Sequence, residues 1–148
     1  MGSRVELFVH AVWATALRRP MIAASWKQEL YRVIATKCIA LDCTPRAIGG
    51  IADHVHLLAQ IHATTSVAQL LAGVKGASSH AINQRLAPGA AFAWQACYFA
   101  TSVSPDDVPA VEHYIRIKSD ITAPPLCCMT SNRPRNPHES APKGCRQF

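Results

Sequence analysis

The stretch that decides the fold is residues 43–61, CTPRAIGGIADHVHLLAQI, in which two apolar runs are joined by a short step. The runs Cys43–Ile51 and His54–Ile61 each have the length and composition of a strand. Ala52-Asp53 between them has the length of a hairpin turn. This stretch therefore predicts two strands joined by a turn near the middle of the chain.

The segments on either side of this pair alternate between strand and helix patterns. In chain order they are a strand at Val5–Trp13, an amphipathic helix from Ser25 to about Leu41, a helix from Ser66 to about Arg85, a strand at Ala96–Val103 and a helix that begins at Ser104. The resulting order predicts an α+β fold, a ferredoxin-like split βαβ sandwich with an antiparallel sheet and helices on one face. A C-terminal helix that carries Tyr114 is added, and the open face of the sheet is free to hold a site.

The predicted helices begin at serines that suit the N-cap position. Ser66 is followed three residues later by Gln69, which is the spacing of a capping box. Ser25 is a candidate N-cap for the first helix, and Ser104 precedes Pro105, which is favoured at the first helical position.

Composition and charge indicate one folded domain with an anionic partner. The 148 residues are 49% hydrophobic and 16% charged, which excludes a wholly disordered chain. The net charge of +6 favours a polyanion, and nucleic acid is the leading candidate. Glu6 and His10 interrupt the apolar run Val5–Leu17, so this run predicts a strand and not a signal peptide. We expect a cytoplasmic protein with reduced cysteines and no membrane partner.

The composition changes after about Asp120. Residues 121–148 contain five of the ten prolines and three of the six cysteines, and no helical or strand period runs through them. The predicted domain therefore covers residues 3–120. Residues 121–148 are predicted to be a disordered basic tail or the product of a shifted reading frame.

Two histidines on the predicted third strand are candidate metal ligands. Side chains alternate across a strand, so His54 and His56 lie on one face while Val55 and Leu57 lie on the other. Two imidazoles on one face supply half of a metal site. Two polar residues on an exposed strand face explain the same pattern, so both interpretations stay open.

Tyr114 and several basic residues also have two interpretations. Tyr114 lies at the border of the apolar stripe of the last helix, where tyrosines commonly pack, and Lys118 shares its face one turn later. Basic residues on helices and loops are commonly solvated, but they are also the usual contacts to phosphates. The candidate DNA contacts are Arg18, Arg19, Lys75 and Arg85.

Several short motifs occur in the order and spacing of a known family. They are Val9–Thr15 followed by Arg18-Arg19-Pro20, Asp53–Leu58, Ser66-Val67, Val74–Ser79, Phe92–Gln95 with Tyr98, Ser102–Ser104 and Tyr114-Ile115. In these motifs the chain closely resembles the single-tyrosine HUH transposases of small insertion sequences and their REP-associated relatives. The resemblance covers about residues 5–117.

The resemblance implies an enzyme that cuts and rejoins single-stranded DNA, often folded into hairpins. It implies that the hydroxyl of Tyr114 attacks a phosphodiester, which leaves a 5'-phosphotyrosyl bond and a free 3'-OH. It also implies that His54 and His56 bind Mg²⁺ or Mn²⁺, which polarises the phosphate and stabilises the leaving oxygen. A homodimer that associates with the nucleoid in the cytoplasm follows from the same resemblance.

The chain departs from the family pattern at Lys118. The family usually places a Gln ligand four residues after the tyrosine, and an ammonium group cannot bind a cation. Asp120 or a water would then complete the coordination, or Lys118 would replace part of the charge of the metal at the phosphate. Alternatively, the protein is a damaged or domesticated relative that binds single-stranded or hairpin DNA and cuts it poorly.

Overall fold

A computed structural model describes residues 4–120 of the chain, the side chain of Asp120 excepted. The predicted tail at residues 121–148 lies outside the described residues, so both interpretations of it remain predictions. Within residues 4–120, no helix is long and apolar enough to cross a lipid bilayer.

The described strands form one antiparallel sheet in the order β2-β3-β1-β4. Their bounds are β1 Leu7–Ala14, β2 Thr44–Ile51, β3 His54–Ile61 and β4 Phe99–Val103. β2 and β3 are joined by the predicted turn, and β1 lies between β3 and β4. This is the strand order of a ferredoxin-like sandwich, so the predicted fold class is confirmed.

Two helices, α1 (Lys27–Ala40) and α2 (Val67–Ala81), pack on one face of the sheet over the main core. α2 continues as a π-helical turn at Ile82–Leu86. Val55 and Leu57 of β3 are fully buried in this core, as strand alternation predicts.

A third helix, α3 (Val108–Asp120), follows a 3₁₀ turn at Pro105–Asp107 and packs on the opposite face. Its residues Val108 and Ile115 form a second, smaller core with Ala47 of β2 and Leu58 of β3. The face that was predicted to be open is therefore partly covered by α3. This places the helix that carries Tyr114 on the side of the sheet that presents His54 and His56.

The helix starts agree with the sequence in one case and differ in another. At Ser66 the capping box is present, because Ser66 Oγ accepts from Gln69 N at 3.1 Å and Ser66 N donates to Gln69 Oε1 at 3.0 Å. The prediction that Ser25 caps α1 is wrong: Trp26 occupies the N-cap position and makes no side-chain cap hydrogen bond.

β4 begins three residues later than the predicted start at Ala96. The carbonyls of Gln95, Ala96 and Cys97 accept hydrogen bonds from Lys75 and not from a neighbouring strand. These carbonyls are thus hydrogen-bonded outside the sheet, and the continuous pairing with β1 starts at Phe99.

Candidate functional site

Side chains from three elements meet on the α3 side of the sheet. They are His10 of β1, His54 and His56 of β3, and Tyr114 and Lys118 of α3. The ring centroids of His54 and His56 are 5.0 Å apart, and the ring of Tyr114 lies 5.7 Å from that of His56. The two candidate ligands and the candidate nucleophile are therefore brought together by the fold.

His54 is oriented by the turn that precedes β3. Its Nδ1 lies 2.6 Å from Oδ1 of Asp53, whose other oxygen accepts from Arg18 Nε at 3.2 Å. Burial acts to raise the pKa of the Asp53 carboxyl, but the hydrogen bond from His54 and the charges of His54 and Arg18 together lower it. An ionised carboxylate only accepts hydrogen bonds, so Nδ1 of His54 carries a proton, and Nε2 is the ring atom that faces away from this contact.

His56 is more deeply buried than His54, with 4% of its surface exposed. Its Nδ1 lies 3.1 Å from Nε2 of His10, and the ring centroids are 5.3 Å apart, so the two rings meet edge to edge. Among residues 4–120, no hydrogen-bond partner reaches Nε2 of His56. Burial lowers the pKa of His56 to about 3, with smaller contributions from the charges of His54, His10 and Lys118, so the ring is neutral at physiological pH.

The ring of Tyr114 is nearly perpendicular to the rings of His10 and His56. Its centroid lies 6.3 Å from that of His10, at an interplanar angle of 75°. Burial raises the pKa of the Tyr114 phenol, so its hydroxyl is protonated at neutral pH. Lys118 Nζ lies 5.6 Å from the ring centroid. A cation at this distance stabilises negative charge that develops on the phenol or on a bound phosphate.

The position of α3 depends on a glycine in β2. A Cβ added at Gly49 would meet Ser119 Oγ and lie 2.6 Å from the carbonyl oxygen of Ile115. Next to it, Gly50 N donates to Ser119 Oγ at 3.3 Å, and Lys27 Nζ donates to the Ser119 carbonyl at 3.2 Å. The absence of a side chain at Gly49 thus lets α3 approach the sheet closely enough for Tyr114 to reach the histidines.

The donor set fits part of a metal site. His54 and His56 each have Nδ1 in contact with a polar atom, and Nε2 makes no hydrogen bond within residues 4–120. Metal-binding histidines commonly have this pattern of contacts. Within the described part of the chain, no group of three or more His, Cys, Asp or Glu side chains is placed to hold a metal ion. Lys118 occupies the position of the expected third ligand, and the side chain of Asp120 lies outside the described residues.

The predicted DNA contacts do not form a single patch. Arg18 and Arg19 are exposed in the loop after β1, and Arg18 pairs with Asp53 beside His54. Arg85 is exposed in the π-helical turn and lines a groove between α1 and α2, on the other side of the sheet from Tyr114.

Lys75 has a different environment from the other candidate contacts. Its Nζ donates to the carbonyls of Gln95, Ala96 and Cys97 at 2.6, 3.0 and 3.4 Å. Burial lowers its pKa. Three carbonyl partners match the three donors of an ammonium group, so the structure supports a role for Lys75 in holding this segment.

The sequence analysis did not identify His10 as a site residue. The available signal was a histidine within an apolar strand, on the strand face that it shares with Phe8 and Val12. The register of β1 on β3 pairs His10 with Leu58, which makes His56 its diagonal neighbour. That register joins segments distant in the chain, and the sequence pattern does not reveal it.

Comparison with known proteins gives one family and a shared fold. The family model described as "Transposase IS200 like" matches residues 3–118. The chain is similar to a candidate transposase from Deinococcus radiodurans R1, with 20% identity over 80% of this chain and 95% of that chain and a TM-score of 0.62. It is also similar to a REP-associated tyrosine transposase bound to a REP hairpin, with 15% identity over 79% of this chain and 70% of that chain and a TM-score of 0.58. No curated protein matches the chain.

Proposed function

This chain belongs to the IS200-like transposase family, as its motifs predict, and on that premise we propose that it cuts and rejoins single-stranded DNA through Tyr114. DNA transposition is the activity of the family. The proposal of Tyr114 as the nucleophile rests on its position: its ring centroid lies 5.7 Å from that of His56 and 5.6 Å from Lys118 Nζ. A nucleophile, two metal-type ligands and a cation are thus adjacent.

In the proposed reaction, the Tyr114 oxygen forms a bond to the phosphorus of a phosphodiester. The bond from phosphorus to the 3'-oxygen breaks, the phenol proton passes to solvent, and the 3'-oxygen takes up a proton. A second 3'-OH then attacks the phosphotyrosine and releases Tyr114. Because the ester bond to Tyr114 replaces the one that was broken, rejoining needs no nucleotide hydrolysis.

His54 and His56 would hold Mg²⁺ or Mn²⁺ in this proposal, through the Nε2 atoms that their Nδ1 contacts leave available. When bound, the cation polarises the scissile phosphate and stabilises the leaving oxygen. Imidazole is a less usual ligand for these hard cations than oxygen, so two histidines alone predict weak binding. Asp120, water or a phosphate oxygen would supply the remaining ligands.

The proposed substrate is single-stranded DNA that folds into hairpins. The solved relative bound to a REP hairpin supports this substrate class, and the net charge of +6 favours a polyanion. Arg18 and Arg19 are exposed in the loop after β1, and Arg18 pairs with Asp53 beside His54, so in this proposal both arginines contact a strand that enters the site.

Lys118 favours a second candidate function, in which the protein binds hairpin DNA without efficient cleavage. An ammonium group next to Tyr114 repels a metal ion, and it also attracts a phosphate. A relative that kept the fold and lost the third ligand would therefore bind its DNA and cut it slowly.

An adduct assay separates these functions. The protein is incubated with a radiolabelled DNA hairpin and Mn²⁺, and covalent protein–DNA product is measured on denaturing gels. We expect an adduct with the unmodified protein and none with Tyr114→Phe, while both bind the hairpin with affinities that differ by about 1 kcal/mol or less, because only one hydroxyl is lost.

Tyr98→Phe is the matched control, because Tyr98 is a half-exposed tyrosine outside the site. It should form the adduct at the normal rate. An adduct that persists in Tyr114→Phe would refute Tyr114 as the nucleophile. Tight binding with no adduct in the unmodified protein would favour the second function.

A further inference from the structure

His10 contacts the candidate ligand His56 and has no role of its own in the proposed reaction. Its Nε2 lies 3.1 Å from Nδ1 of His56, and the two rings are nearly parallel, at an interplanar angle of 19°. His10 belongs to β1, and the antiparallel pairing of β1 with β3 places it beside His56. Both residues therefore lie on paired strands and not in a loop. The hydrogen bond, with the two ring planes nearly parallel, restrains the rotation of the His56 ring about its side-chain bonds.

The proton in this contact can occupy only one of two positions. If Nε2 of His10 donates, Nδ1 of His56 is the acceptor, and the neutral His56 ring carries its proton on Nε2. If Nδ1 of His56 donates, Nε2 of His56 keeps a free lone pair. Only the second arrangement lets His56 bind a cation.

We infer that His10 is a positioning residue, whose Nε2 accepts the Nδ1 proton of His56 and so leaves Nε2 of His56 free as a metal ligand. The inference rests on the proposed function, because that function requires His56 to bind the metal. Nε2 of His56 is buried and lacks a partner within residues 4–120, as expected for an atom reserved for an external ligand.

The same arrangement occurs at the neighbouring ligand. Asp53 Oδ1 lies 2.6 Å from Nδ1 of His54, and a carboxylate can only accept. Nδ1 of each histidine therefore contacts an acceptor, which is the anionic carboxylate of Asp53 for His54 and the neutral ring of His10 for His56. Acceptors of this kind set the tautomer and ring orientation of metal-binding histidines, and their loss typically weakens metal binding about 10- to 100-fold.

The first test needs no substitution. Imidazole ¹⁵N chemical shifts in the metal-free, unmodified protein report which nitrogen of each histidine is protonated. We expect His56 to carry its proton on Nδ1, with the resonances of His10 shifted by the shared hydrogen bond. Protonation of His56 on Nε2 would overturn the inference.

The second test compares His10→Gln with His10→Met. The two side chains have similar length, but only Gln offers an oxygen acceptor for the His56 proton. We expect Mn²⁺ affinity, measured from the free-ion electron paramagnetic resonance signal, to fall about 10-fold or more in His10→Met and to be largely restored in His10→Gln. Equal affinity in His10→Met and the unmodified protein would contradict a positioning role.

These measurements also separate the inference from the proposed function. Unmodified protein that shows the Nδ1 tautomer and binds no Mn²⁺ would refute the metal in the proposed function, while the orienting hydrogen bond of His10 would stand. A His54→Ala variant, which removes one ligand and keeps the His10 contact, should lose Mn²⁺ binding and keep the His56 tautomer.

Discussion

At the scale of single residues, Lys118 places a positive charge next to Tyr114 and near His56. Its ammonium group lies on the same face as Tyr114 and contributes to the low pKa of the buried His56. A fixed positive charge there disfavours a bound cation and favours a bound phosphate. The charge of Lys118 and its inability to donate a lone pair are separate effects, and substitutions can separate them.

Lys118→Gln should bind Mn²⁺ more tightly and cleave faster, because it removes repulsion and adds a carbonyl oxygen one turn from Tyr114. Lys118→Met is the control that removes the charge and adds no ligand. Mn²⁺ titrations and adduct rates of both variants distinguish the two effects. A larger gain in Mn²⁺ affinity and adduct rate in Lys118→Gln than in Lys118→Met indicates that the Gln oxygen binds the metal. Equal gains in both variants indicate that only the repulsion was removed. Slower cleavage in both would show that Lys118 acts on the phosphate.

Lys75 and Arg19, two of the predicted DNA contacts, differ in the surroundings of their side chains. The ammonium group of Lys75 donates to the carbonyls that precede β4, whereas the side chain of Arg19 is exposed. A residue that contacts a phosphate releases a counterion, and a residue that holds a loop does not.

The salt dependence of hairpin binding should therefore distinguish Arg19 from Lys75. Arg19→Ala should reduce the slope of log K against log salt by about one unit, and Lys75→Met should leave the slope unchanged while lowering stability. Fluorescence anisotropy at several salt concentrations measures the slope, and urea unfolding measures stability. A reduced slope in Lys75→Met would assign a phosphate contact to Lys75.

At the scale of elements, the contact of α3 with β2 builds the site. Gly49 permits close approach, and Ser119 joins the two elements through the hydrogen bond from Gly50 N. Arg46 of β2 adds an ion pair to Glu112 of α3 at 2.9 Å. Because Tyr114 lies on this helix, a displacement of α3 moves the nucleophile relative to the histidines of the sheet.

Gly49→Ala should destabilise the protein by about 1–3 kcal/mol, since the added methyl group overlaps the backbone of α3 at Ile115. Adduct formation should fall more than hairpin binding, because Tyr114 moves away from the site.

Gly76→Ala is the control: a Cβ there meets nothing within 4 Å, and Ala should stabilise α2 by about 0.5–1 kcal/mol. Urea unfolding measures both. Equal stability of Gly49→Ala and the unmodified protein would mean that α3 is not held by this contact.

At the scale of the whole molecule, the described chain assembles its site from its own elements. Tyr114 and His56 of the same chain lie in ring contact. We expect a homodimer in solution, as the family resemblance implies. The resemblance also implies that the tyrosine helix completes the site of the partner in many members, whereas the contact of Tyr114 with His56 favours a tyrosine that acts within its own chain. Sedimentation at tens of micromolar should show a dimer, and a monomer would contradict this expectation.

Co-expression of Tyr114→Phe and His56→Ala chains tests whether the tyrosine acts within its own chain. If Tyr114 acts in its own chain, the mixed dimer contains no complete site and forms no adduct. If Tyr114 acts in the partner, one complete site forms. An adduct in the mixed dimer would therefore show that α3 reaches the other chain in the active assembly.

The sequence by itself determined the features that depend on near neighbours in the chain. Strand alternation put His54 and His56 on one face, the spacing of Ser66 and Gln69 defined a capping box, and the order of periods identified the sandwich. Each of these follows from contacts within a few residues. Local patterns were less exact elsewhere: Trp26 and not Ser25 occupies the N-cap position of α1, Ser104 occupies an N-cap position without a side-chain cap hydrogen bond, and β4 starts three residues after Ala96.

Tertiary structure alone decided which distant groups share a proton or a surface. The contact of His10 with His56 depends on the register of β1 on β3. The hydrogen bonds from Lys75 to three carbonyls depend on the path of the chain before β4. The close approach of α3 to the sheet depends on the absence of a side chain at Gly49. Such contacts join residues far apart in the chain, so their geometry is set by the packing of whole elements and leaves no period in the sequence.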